Sequence, residues 1–243
     1  MIFDADEFVF QPPREIVFAR RVLIKPSAGY PTPHPMTTSR ETLAKVIQGI
    51  KKVSPADIIL LERSASSMPV HSIYKELHYD FEHTILLDVN QCIPVAIENP
   101  LAKPFSLSTF WLPNVILSCD YLISIAPFKI TRGAGEFTIK NLLGLLPEEK
   151  YQQNIQELTD HEYELGVDNT VADLYFTLPF DLGIVDGLKK LISSGDHTQD
   201  RIEDYGKIFI GPPYDVDLEA SQAAGIKTEY LDLIKKAKDE LGE

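Results

Sequence analysis

The stretch of the chain richest in chemical potential is Lys129-Ile130-Thr131-Arg132-Gly133-Ala134-Gly135-Glu136-Phe137-Thr138-Ile139-Lys140-Asn141. Gly133 and Gly135 permit positive φ and close backbone approach. A helix starting just beyond them would offer free N–H groups and a favourable dipole to an anion. Lys129, Arg132 and Lys140 supply positive charge, and Thr138 and Asn141 supply hydrogen-bonding groups. The glycine–lysine–hydroxyl order of a Walker A loop is absent, and so is the dinucleotide fingerprint. Two readings stay open: an anion-binding loop, or a flexible connection in which Thr138 merely caps a helix.

A second set of residues follows short apolar runs. Lys25 comes after Val22-Leu23-Ile24, Glu62 and Arg63 after Ile58 to Leu61, and Asp88 after Leu87. The run ending at Ala126 leads to Pro127, Phe128 and Lys129, and Leu182 to Val185 leads to Asp186. Parallel strands point their carboxyl ends to one edge of a sheet, and open α/β folds bind ligands there. If these runs are parallel neighbours, Lys25, Lys129 and several carboxylates share one rim. A lysine in that place pairs with a phosphate or carboxylate, or, once desolvated, acts as a neutral nucleophile or base. Asp186 can orient such a lysine or take a proton. The plainer alternative is that strands commonly end in polar residues that meet solvent.

Other reactive side chains lack a supporting pattern. His78, Asp80, Glu82 and His83 would share a face only on a strand, whereas their segment reads as a helix end running into a loop. His34, within the proline-rich Tyr30 to Pro35, is positioned to cover the rim or to act as an acid–base group. His161 and His197 carry no partner spacing, and neither a G-x-S-x-G elbow nor an H-E-x-x-H motif occurs. Cys119 sits among apolar residues as a packed thiol. Asp215 and Asp217 fit the start of a helix through the macrodipole. No metal is expected, and no motif assigns a cofactor.

The elements that would position these residues alternate. Ile16 to Ile24 contains an apolar run ending in Val22-Leu23-Ile24. Thr38 and Glu41 stand at the spacing of a capping box, ahead of a helical face of Leu43, Val46, Ile47 and Ile50 that ends at Ser54-Pro55. Ile58 to Leu61 then reads as a buried strand, completing a β–α–β unit with parallel strands. The pattern continues with a helix over Val70 to Leu77, a strand over Ile85 to Leu87, and an edge hairpin or excursion between Cys92 and Trp111. A turn at Asn114 to Ser118 precedes a strand from Tyr121 to Ala126. Helices are expected over Ile139 to Leu145, Glu148 to Leu158 and Asn169 to Phe176, and strands over Leu182 to Val185 and Lys207 to Ile210. Asp215 caps a helix that Gly225 terminates, and Thr228 opens a last helix carrying Leu231, Ile234, Ala237 and Leu241 on one face. The expected fold class is α/β, with a mostly parallel central sheet flanked by helices. Residues 1–243 form a single domain or two closely packed lobes.

Composition agrees with a folded domain. Of 243 residues 44% are hydrophobic and 24% charged, which excludes a disordered or collagen-like polymer. The two cysteines, Cys92 and Cys119, exclude a disulfide scaffold and a four-cysteine iron–sulfur cluster, and they suit a reducing compartment. A net charge of −13 argues against nucleic acid as a partner. No apolar run is long enough to cross a bilayer, and the acidic residues of the N-terminal segment do not suit an export signal, so a cytoplasmic, non-membrane protein is expected.

Several segments together resemble a known family. They are Val22-Leu23-Ile24-Lys25-Pro26, Tyr121 to Lys129, and Phe137-Thr138-Ile139-Lys140-Asn141-Leu142-Leu143-Gly144, with Ile184-Val185-Asp186-Gly187 and Asp215-Val216-Asp217 following. In this order they resemble the domain-of-unknown-function 362 family, from about Val22 to the last helix, and the T-x-K-N-L-x-G segment is the most specific part. The resemblance implies an α/β fold and no established activity. Some relatives carry ferredoxin-type cysteine clusters, which implies redox settings, but this chain lacks those cysteines. It also departs from the family in having Ser27 after the first K-P, Ile130-Thr131-Arg132 where a histidine is common, and an altered segment after Gly187.

Two functional expectations follow. In the first, the chain binds a small anionic metabolite, as a binding protein or an enzyme, through Lys25, Lys129, Arg132, Lys140, Thr138 and Asn141, with Asp186 as orienting group or base. In the second, it is a non-catalytic interaction module that keeps the family scaffold and serves a partner such as a redox protein. A metal-dependent hydrolase would rest only on Glu62, Asp88, Asp186, Asp215 and Asp217.

Overall fold

The computed structural model describes residues 1–151, 163–195 and 200–242. In chain order its elements begin with β1 (Ile2–Asp4), α1 (Arg14–Phe18), β2 (Arg21–Pro26), α2 (Arg40–Val53), β3 (Asp57–Glu62), α3 (Val70–Glu76) and β4 (Thr84–Asp88). Next come β5 (Pro94–Glu98), β6 (Thr109–Pro113), β7 (Tyr121–Thr131), β8 (Ala134–Glu136) and α4 (Tyr163–Thr177). The chain closes with β9 (Leu182–Ser193), β10 (Arg201–Gly211), α5 (Pro213–Ala224) and α6 (Glu229–Leu241).

The main sheet runs β1-β10-β9-β7-β2-β3-β4, with β8 added on β7. From β9 to β4 every neighbour is parallel, whereas β10, β1 and β8 join antiparallel. The result is a single α/β domain with a mixed sheet whose central part is parallel. Strand β2 shows why this sheet lies inside the molecule. Val22 and Ile24 pack into one apolar cluster with Leu43 and Ile47 of α2, while Leu23 between them packs into another with Leu142, Leu145 and Leu174. Alternate residues of a strand face opposite sides, so a run of three apolar residues is covered on both faces. Each fully buried Leu or Ile of this kind contributes about 1.5–3 kcal/mol.

Helix α2 buries the expected face of Leu43, Val46, Ile47 and Ile50, and it carries Lys51 and Lys52 in its last turn, where the dipole favours cations. Its cap differs from the expectation by one residue. Ser39 accepts the Thr42 N–H at 3.0 Å, while the Thr38 hydroxyl reaches across to donate to Ile125 O at 2.7 Å. Thr38 is buried beside β7, so a tertiary acceptor outcompetes the local capping role.

The segment from Cys92 to Trp111 forms a separate antiparallel pair, β5 with β6. Several expectations change. The helix expected over Ile139 to Leu145 is a 3-10 helix over Lys140–Leu145, β7, β9 and β10 are far longer than the apolar runs that signalled them, and Leu241 is exposed. Asp215 does not cap α5: the helix begins at Pro213, and Asp215 lies within its first turn, where the dipole still favours an anion. Most of the expected helix from Glu148 to Leu158 lies outside the described residues. Among the described residues no helix is long and apolar enough to cross a membrane.

Candidate functional site

The carboxyl ends of β2 and β3, the middle of β7 and the 3-10 segment Lys140–Leu145 enclose a cavity of about 230 Å³. Lys25, Lys129, Lys140 and Asn141 line it together with Arg63, Glu62 and Glu136. Apolar surface comes from Ala65, Ala126, Pro127 and Leu143, and the proline-rich loop adds Tyr30 and Met36. Four cations therefore face two carboxylates in a protein whose net charge is −13.

The floor is a buried ion pair. Lys25, 1% exposed, donates from Nζ to Glu62 Oε2 at 2.8 Å, to Pro26 O at 2.9 Å and to Asn141 Oδ1 at 3.1 Å. All three ammonium protons are thereby engaged. Burial lowers the Lys25 pKa, the Glu62 carboxylate opposes that shift, and the Arg63 charge adds to it. Glu62 is equally well served: Oε2 also accepts the Ala28 N–H at 2.7 Å, and Oε1 accepts the Arg63 N–H at 2.9 Å. The Asn141 amide donates to Lys25 O and Ser124 Oγ, both at 3.1 Å, and so ties the 3-10 segment to β2 and β7.

Gly144 makes this approach possible. A Cβ there would lie 2.6 Å from Glu62 Oε1 and 2.8 Å from Lys25 Nζ. Gly144→Ala should therefore push the 3-10 segment off the ion pair at a cost of about 1–3 kcal/mol, the usual range for overpacking. Chemical denaturation measures it, and a loss under about 0.5 kcal/mol, the scale of an ordinary surface substitution, would contradict the packing. The T-x-K-N-L-x-G segment thus acquires physical content: Asn141 ties strands together, Gly144 admits the ion pair, and Lys140 faces the cavity.

The upper wall comes from the β7–β8 hairpin. Arg132 and Gly133 form its tip, with φ of 51° and 80°, and Thr131 pairs with Ala134. The glycine segment is therefore a tight turn between strands instead of a loop opening a helix, because two successive positive-φ residues match the right-handed twist of a hairpin. Lys129 and Glu136 are register partners across this hairpin and meet at 2.5 Å, while Lys140 Nζ lies 3.9 Å from the same carboxylate. Burial works against ionisation of Glu136, but the Lys129 and Lys140 charges prevail and hold its carboxyl below the ordinary range.

The remaining expected residues lie elsewhere. Arg132 is at the hairpin tip and lines a neighbouring cavity of about 520 Å³, which shares Glu136, Lys140 and Leu143 with the first. Thr138 is fully buried and does not line the first cavity. Its N–H and hydroxyl both donate to Asp217 Oδ1, at 2.9 and 2.6 Å, while Ile139 N and Tyr230 Oη donate to Oδ2 at 2.9 and 2.8 Å. The backbone N–H groups expected to meet an external anion are thus bound by an internal one. Asp186 is also fully buried; its Oδ2 accepts the Ser39 N–H at 2.8 Å and lies 3.7 Å from His34 Nδ1. His34 Nε2 accepts the Lys189 N–H at 3.1 Å, so this pair fastens the proline-rich loop to β9.

Among the charged cavity residues, Arg63 and Glu136 stand outside the expected binding set. Arg63 had a signal, since it directly follows the Ile58–Leu61 run and Glu62. Glu136 had none, because its pairing with Lys129 depends on the hairpin register. Among the described residues no group of three or more His, Cys, Asp or Glu side chains is arranged to hold a metal ion.

Residues 22–217 match the model of a family described as a domain of unknown function, DUF362. No curated protein matches the sequence. Among solved structures, the fold is similar to that of the lactate racemase apoprotein from Thermoanaerobacterium thermosaccharolyticum, with a TM-score of 0.55 and 14% identity. That similarity covers 90% of this chain and 53% of the other, so the chain spans about half the length of that protein. At such low identity the likeness is one of fold.

Proposed function

The chain belongs to the DUF362 family, a membership that assigns no activity, and from the cavity itself we propose that it binds a small oxyanionic metabolite between Lys25, Lys129, Lys140 and Arg63. The observation that carries this reading is the excess of cations over carboxylates around one concave site in an acidic protein. The site lies at the carboxyl ends of parallel strands, where α/β sheets bind ligands. Within it the residues divide the work. Lys25, Glu62 and Asn141 are mutually engaged and set the shape and potential of the floor. Lys129 and Lys140, both partly exposed, share Glu136 and can exchange that carboxylate for a ligand oxygen. The apolar wall of Ala65, Ala126, Pro127 and Leu143 suits the body of a small organic anion. The half-buried free thiols of Cys92 and Cys119 suit a reducing, cytoplasmic setting.

Calorimetric titration with inorganic phosphate and with acetate tests the reading. Binding of at least one should be measurable in wild type and weaken about tenfold in Lys140→Ala, as expected for one charged hydrogen bond. Glu136→Gln, which removes the resident competitor, should tighten it about threefold or more. Absence of binding in wild type, or indifference of the affinity to both substitutions, would move the assignment to the alternative of a non-catalytic module serving a partner protein.

A further inference from the structure

We propose that Arg63 is the anchor of the cavity, gripping two oxygens of the bound oxyanion with its guanidinium fork. The inference rests on the ligand-binding reading above and deepens it by naming the group that sets ligand geometry. Its basis is the hydrogen-bond inventory of the four cations.

Lys25 has its three donors committed to Glu62, Pro26 and Asn141. Lys129 is held by Glu136 at 2.5 Å, and Lys140 lies 3.9 Å from that same carboxylate. Arg63 differs. Its Nε is buried and meets no hydrogen-bond partner among the described residues. A buried donor without an acceptor is costly, more so when charged, and such groups are rare in native proteins. The neighbouring carboxylate does not relieve it: Glu62 Oε1 accepts the Arg63 backbone N–H, and Oε2 serves Lys25 and Ala28.

The position of Arg63 is also fixed. It follows the last residue of β3 directly, and its backbone N–H is tied to the Glu62 side chain at 2.9 Å, so the side chain leaves the sheet from a rigid point. A guanidinium presents paired N–H groups in one plane and matches two oxygens of a carboxylate or phosphate, which an ammonium cannot do. Its charge is felt at Lys25, where it contributes to the lowered pKa. An incoming oxyanion would therefore offset the surplus positive charge, and a small turn of the side chain toward the cavity would bring the buried Nε to one of its oxygens.

The test compares Arg63→Lys and Arg63→Met with wild type by calorimetric titration of inorganic phosphate and, separately, acetate. Thermal unfolding serves as the control that each variant is folded. The expected result is a loss of about tenfold in affinity for Arg63→Lys, which keeps the charge but not the fork, and a larger loss for Arg63→Met. The arm with the larger loss identifies whether a tetrahedral or a planar oxyanion is the better fit. If wild type binds and Lys140→Ala weakens binding while both Arg63 variants bind normally, Arg63 is not the anchor and the site reading stands. If wild type binds neither probe, the site reading fails and the anchor with it.

Discussion

Lys25→Ala should lower the free energy of unfolding by about 3–5 kcal/mol, the cost of stranding one member of a buried ion pair. Glu62, 3% exposed, would keep only the Ala28 and Arg63 backbone N–H groups as partners for a full negative charge. The double substitution Lys25→Met with Glu62→Gln should be milder than Lys25→Ala by about 2 kcal/mol. It removes both charges, roughly fills the volume, and leaves an amide oxygen for Ala28 N. Urea denaturation with constant m-values measures both. A cost below about 1 kcal/mol for Lys25→Ala would mean that water reaches Glu62 and that the cavity floor is not built as described. The comparison also separates structure from binding, because the double variant can be folded and still lack the potential that attracts an anion.

Asp217→Ala should cost a similar amount, about 3–5 kcal/mol, for a different reason. Four donors converge on this carboxylate, and two of them are the backbone N–H groups of Thr138 and Ile139. Each buried donor left without an acceptor costs about 1–3 kcal/mol. The Tyr230 hydroxyl of α6 loses its partner as well, so the last helix should loosen together with the segment that carries Lys140 and Asn141. Hydrogen exchange at Thr138 and Ile139 reports this directly, and unchanged protection there would refute it.

The same residue gives the stability a pH signature. Burial pushes the Asp217 carboxyl up to about 6 from its ordinary 3.8, against the pull of its hydrogen bonds. The folded chain then holds this proton more tightly than the unfolded chain does, and protonation favours folding. Its contribution is fully present below pH 3.8 and is lost as the pH rises through about 6. Asp217→Asn should flatten that part of the stability curve, whatever it costs overall. An identical slope in both proteins between pH 4 and 6 would show that Asp217 does not titrate there.

Much of the framework was legible because it depends on neighbours in the chain. The 3.6-residue spacing of Leu43, Val46, Ile47 and Ile50 describes α2 in the structure as in the sequence, and the apolar runs ending at Ile24 and Leu61 are β2 and β3. Strands joined through a helix must be parallel, which is why Lys25 and Glu62 emerge at one edge. Lys129, Lys140 and Asn141 line the same cavity as Lys25. The glycine segment was not legible in the same way. Arg132-Gly133 serves a hairpin turn as readily as a helix entry, and the choice lies in the pairing of Thr131 with Ala134 and Lys129 with Glu136.

The amino-acid order alone thus specifies which segments become strands and helices and which cations arrive near the sheet edge, since periodicity and chain connectivity act over short range. Which of those cations keeps an unsatisfied donor is settled by partners far away in the chain. Asp217 reaches Thr138 across 79 residues, and Asn141 reaches Lys25 across 116. A polar side chain has many acceptors available to it until packing removes water and all but one of them. For this chain that selection turns Thr138 and Asp186 inward, closes Lys25 upon Glu62, and leaves Arg63, which lines the cavity, with a buried Nε that has no acceptor among the described residues.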